Sequence, residues 1–139
     1  MGKISRAIVL AAASATFLSA AARDTVPLVD RDSVAVVTGS GKPASAAAVG
    51  VAISNAAASG KRVWQVKRTA PDRLRATYQV RQHAVSVDIK YGPKAYSIHY
   101  AASDNMKYGE ENGVKLIDPF YNSWVDELQQ GISAQLGKL

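Results

Sequence analysis

A hydroxyl, a carboxylate and an imidazole stand at Thr77, Asp88 and His99, each on a stretch that alternates apolar and polar residues. With turns at Gln82-His83 and Gly92-Pro93-Lys94, Thr77 faces Asp88 and Asp88 faces His99, a row across three strands. A carboxylate orients a neighbouring imidazole and raises its pKa, and a hydroxyl beside them completes the parts of a nucleophilic triad. Such a row lies on the wet side of a flat sheet, without a pocket or oxyanion donors. The bland reading is a cross-strand polar pair, Asp88 with His99, and no catalytic residue is assigned. A small hydrolase using Thr77, Asp88 and His99 is the enzyme alternative.

Charge is the sharper feature. Residues 61–94 carry nine cations and two acids, residues 95–139 carry three cations and six acids, and residues 23–60 balance at three each. Alternation places Lys67, Arg73, Arg75, Arg81 and Lys90 opposite the apolar face, where a basic surface attracts phosphates. The expected partner is an anionic envelope component, a lipid phosphate or lipopolysaccharide, or else an envelope protein. That face has no aromatic residue on which bases could stack, which argues against nucleic acid. The competing reading is a solvated face whose Lys and Arg keep sheet edges apart.

Composition removes other chemistry. Among 139 residues there is no cysteine, so disulfides, thiol nucleophiles and Cys-ligated metals are excluded. Two histidines leave little for a metal site. No G-x-S-x-G, H-E-x-x-H or Gly-rich phosphate loop occurs, Glu110-Glu111-Asn112-Gly113 lacks the alternating oxygens of a calcium loop, and no cofactor is expected.

The elements that position these residues follow a cationic start. Lys3 and Arg6 precede the uncharged run 8–22, which closes on Ala20-Ala21-Ala22, the layout of a secretory signal peptide. Cleavage near Ala22 gives a soluble periplasmic or secreted chain without a membrane span; retention as an anchor is the alternative. Removal lowers the formal charge from +6 to +4. Residues 23–43 read as a flexible tether, with 33–37 as an optional edge strand. A single domain over 44–139 begins with an Ala-rich helix over 44–59, stopped by Gly60 in a left-handed conformation. Strands over 63–68, 73–81, 84–91 and 95–100 alternate with period two, the mark of an antiparallel sheet with one wet face. Residues 102–117 form a long loop or irregular hairpin. Asp118-Pro119 then starts a second helix carrying Tyr121, Trp124, Val125, Leu128 and Ile132. The expected fold is α+β: a two-layer sandwich in which a four-stranded antiparallel meander carries two helices, one before and one after the sheet, on one face. Trp64, Tyr78, Tyr91, Tyr96, Tyr100, Tyr121 and Trp124 point inward as core, with a small apolar ligand between helix and sheet as the alternative.

Tyr96-Ser97-Ile98-x-Tyr100 and Tyr121-Asn122-x-Trp124-Val125, together with Tyr91, Ser103, Asn105, Tyr108, Ile117 and Leu128, resemble a family of small exported proteobacterial proteins of unknown function, many described as lipoproteins. The resemblance spans roughly 44–136 and includes Arg81, His83, Val87, Asp88 and Ile89. It implies an envelope location and lends no reaction. This chain lacks the lipobox cysteine such relatives carry. The function so read is a non-enzymatic envelope binding or interaction module, with a structural or protein–protein role as the alternative. The residues name neither the ligand nor the oligomeric state.

Overall fold

A computed structural model describes residues 24–139; the expected export signal lies outside the described residues. Strands β1 (Val26–Pro27) and β2 (Arg31–Ala35) come first, then helix α1 (Ala46–Ser59). Strands β3 (Gln65–Ala70), β4 (Arg73–Val80), β5 (His83–Tyr91) and β6 (Ala95–Asp104) follow, then β7 (Gly109–Glu111), β8 (Val114–Ile117) and helix α2 (Phe120–Leu136).

The fold is α+β with antiparallel sheets, and the four-stranded expectation is corrected in two ways. The meander β3-β4-β5-β6 gains β2 beside β6, making five strands in the order β2-β6-β5-β4-β3, and a second sheet is built in the order β1-β8-β7. The stretch read as a tether therefore carries two strands. Val26 pairs with Ile117 and Arg31 with Ile98, so the segment finds its hydrogen bonds on elements far along the chain. The expected irregular hairpin is regular at its tip. Asn112 and Gly113 both adopt positive φ, 52° and 77°, the two-residue turn that an Asn-Gly pair favours.

Helix α1 starts where Ser45 accepts the Ala48 N–H at 3.1 Å. Gly60 ends it in an extended conformation, φ −72° and ψ 175°, not the left-handed one expected. The buried face of α1 consists of Val49, Gly50, Ala52, Ile53, Ala56 and Ala57, small enough for close approach to the sheet. A Cβ at Gly50 would lie 2.7 Å from the Tyr91 ring, whose hydroxyl donates to the Pro71 carbonyl at 3.2 Å. Helix α2 lays Tyr121, Trp124, Val125, Leu128, Ile132 and Leu136 into the same core. Trp124 meets Tyr78 edge to face at 5.0 Å, and Tyr121 meets Tyr100 likewise at 5.7 Å. Of the aromatic set, Tyr100 is half-buried and the others are buried.

Polar clamps close the N-terminal segment over this core. Asn122 on α2 accepts the Val29 N–H at 3.1 Å and donates to the Pro27 carbonyl at 3.0 Å, as a neighbouring strand would. Asp30 accepts the Tyr100 N–H at 2.9 Å, and Arg31 pairs with Asp126 on α2 at 2.6 Å.

Candidate functional site

The wet face of the five-stranded sheet is set by its hairpin registers. At the β5–β6 turn Tyr91 faces Tyr96, so Asp88 faces His99, as the sequence predicts. At the β4–β5 turn the two connecting residues are Arg81 and Gln82, with Val80 opposite His83. The turn thus falls one residue earlier than Gln82-His83. Asp88 consequently faces Arg75, and Thr77 faces Ser86, its hydroxyl 2.8 Å from the serine's. The expected Thr77-Asp88-His99 row is not assembled. Arg81 accommodates the tight turn by adopting a left-handed φ of 54°, unusual for a non-glycine residue.

A different row crosses the sheet. Lys67 on β3 faces Arg75 on β4, Arg75 faces Asp88 on β5, and Asp88 faces His99 on β6. On β2, Asp32 completes the sequence by hydrogen-bonding His99 Nε2. Arg75 holds Asp88 at two points, Nε to Oδ1 at 2.9 Å and Nη2 to Oδ2 at 3.1 Å. That hydrogen bonding, and then the carboxylate's charge, raise the Arg75 pKa above its ordinary value. A carboxylate clamped by a guanidinium is a poor general base, and the His99 side chain is 47% exposed. After the like-charged Lys67–Arg75 pair the row runs guanidinium, carboxylate, imidazole, carboxylate, and this stretch from Arg75 to Asp32 acts as a stitch across strands.

One row along, like charges meet again. Arg73 on β4 stands directly opposite Lys90 on β5, both exposed. Among the described residues neither has an ion-pair partner, nor does Lys67. A shallow groove of about 350 Å³ adjoins Lys90, lined also by Ser33, Ser97 and the residues of the Gly92 turn. The five cations singled out in the sequence therefore divide. Lys67, Arg73 and Lys90 remain available near one end of the sheet, and Arg75 is spent on Asp88. Arg81 sits not on the strand but in the β4–β5 turn, eight residues beyond Arg73 and roughly 25 Å away at the rise of a strand.

The chain matches no family model, no curated protein and no solved structure. Its chemistry must therefore be argued from this geometry alone. Among the described residues no group of three or more His, Asp or Glu side chains could hold a metal ion. No helix among them is long and apolar enough to cross a membrane.

Several working residues escaped the sequence reading. Asp32 lay in the supposed tether, and its partner is 67 residues away. Asn122, named in the sequence only within the Tyr121-Asn122-x-Trp124 segment, clamps backbone. The Asn112-Gly113 pair could have been read as a hairpin turn and was the available signal for β7 and β8.

Proposed function

We propose that the protein is an exported, non-enzymatic binding module of the cell envelope, and that the wet sheet face around Arg73 and Lys90 takes its phosphate-bearing partner. The observation that carries this reading is the direct Arg73–Lys90 opposition, in which neither cation has an ion-pair partner among the described residues. Like charges facing each other across a strand pair destabilise a sheet, and an anion placed between them reverses the sign of that contribution. Lys67 adds a third unpaired cation on the same face, and the hydroxyls of Ser33 and Ser97 supply hydrogen-bonding groups beside Lys90. The basic start and uncharged run of residues 3–22 support export.

Co-sedimentation tests it. The chain without residues 1–22 is mixed with phosphatidylcholine vesicles alone, with vesicles containing phosphatidylglycerol, and with vesicles carrying lipopolysaccharide. Retention on at least one anionic surface, falling steeply with salt and lost in Arg73→Glu/Lys90→Glu, is the expected result. The anionic vesicle that retains it identifies the source of the phosphate. Equal retention on neutral vesicles, or none on any, overturns the reading.

A further inference from the structure

At the opposite end of the sheet from Arg73, the β4–β5 turn, the start of α2 and the Met106 segment enclose a groove of about 300 Å³. We infer that this groove binds a small planar aromatic molecule carrying a single negative charge. It is separate from the Arg73–Lys90 surface and does not depend on it.

One wall is aromatic. Phe120 is 62% exposed at the first turn of α2, and it lies nearly parallel to Trp124, 15° off with the ring centroids 5.9 Å apart. A large apolar ring left open in this way offers a face on which a flat ligand can stack. Buried Met106 and half-buried Val80 also line the groove, contributing an apolar thioether and an aliphatic surface.

The polar groups set the ligand's charge. Arg62 lies over the Trp124 and Tyr78 rings at 5.6 and 5.7 Å, and its Nε pairs with Glu127 at 2.8 Å, so its charge is already met. Asp118 accepts the Phe120 N–H at 2.9 Å at the positive end of α2. His83 donates from Nδ1 to the Asn105 carbonyl at 2.7 Å. Arg81 alone has no partner among the described residues, and it occupies a turn position that glycine would take at lower conformational cost. One aromatic shelf, one guanidinium without a partner, set across from the Asp118 carboxylate that caps α2, and a volume near the lower bound for small-molecule sites together point to a flat ring whose carboxylate reaches Arg81.

The probe is 2-naphthoate, titrated into the full mature chain while backbone amide and Trp indole N–H shifts are followed by NMR. Saturable shifts confined to Arg81, His83, Phe120 and Trp124 are expected. The neutral 2-naphthamide and the non-planar cyclohexanecarboxylate should each bind about tenfold more weakly or worse. Arg81→Gly, which suits the left-handed turn and removes the guanidinium with its stem, should weaken naphthoate by a similar factor, as should Phe120→Ala. Arg73→Glu/Lys90→Glu should bind naphthoate unchanged, so the two sites are judged independently. Absence of saturable shifts, amide binding equal to naphthoate, or unaltered affinity of Arg81→Gly overturns the inference.

Discussion

Arg75 and Asp88 close a two-point ion pair across β4 and β5, and that pair records which residues of the two strands stand opposite each other. Any role for Thr77 turns on the same register, because Thr77 is two pairs further along and its hydroxyl is matched with Ser86.

The register can be read covalently. The chain has no cysteine, so introduced thiols pair without competition. Thr77→Cys/Ser86→Cys should oxidise to an intramolecular disulfide, whereas Thr77→Cys/Asp88→Cys should remain as free thiols, because a bridge tolerates only a short Cβ separation. Mass spectrometry after mild oxidation decides; the reverse outcome would restore the Thr77–Asp88 pairing.

Trp124 joins α2 to the sheet through Tyr78 and is 5% exposed. Trp124→Ala should cost about 3–5 kcal/mol in denaturant unfolding. A loss well under 1 kcal/mol would mean that α2 is held elsewhere.

Gly50→Ala sets two effects against each other. Alanine gains about 1 kcal/mol of helix propensity, but its Cβ enters the space of the Tyr91 ring. Tyr91 is buried and held by Pro71, so overpacking at about 1–3 kcal/mol should prevail and the variant should be less stable. Combining it with Tyr91→Leu should cost less than the sum of the two single changes. A stability gain in Gly50→Ala alone would show that Tyr91 yields freely.

Burial raises the Tyr121 pKa above its ordinary value, with the nearby Asp30 charge adding to the effect. In the unfolded chain the phenol ionises near its ordinary value of 10. The folded state therefore holds its proton longer, and stability complete below that pH falls as pH rises beyond it. Unfolding monitored across the alkaline range should show this decline, shallower in Tyr121→Phe; an identical slope in the variant would place the cause elsewhere. Tyr96 shifts in the same direction for the same first reason.

Faces were legible in the sequence and partners were not, for a geometrical reason. Period two assigns Leu74, Ala76, Tyr78, Val85, Val87 and Ile89 to the core, and all six are buried. Moving a two-residue turn by one position shifts every cross-strand partner by two, which leaves each side chain on the face it had. The apolar pattern is thus blind to the difference between Thr77 and Arg75 opposite Asp88. Nothing at Arg81 advertises a left-handed residue, as a glycine or asparagine would have. At the β5–β6 turn Gly92 and Pro93 punctuate the chain, and the Asp88–His99 pairing was legible there. Strand β1 eluded the pattern, and β2 was legible only as an optional edge strand over 33–37, because both are short and their binding groups come from Asn122, His99 and Tyr100.

The Asn122 clamp reverses the order in which the chain can complete itself. Pro27 and Val29 are held from 95 and 93 residues downstream, and β1 lies against β8. A polypeptide that emerges N-terminus first, from a ribosome or through a translocation channel, presents these strands long before their seats exist. The central hairpins can assemble as they appear and β6 can then receive β2, but the hold of Asn122 on Pro27 and Val29 must wait for α2. Closure of the N-terminal strap is therefore a late event, and it reports that the last helix has arrived.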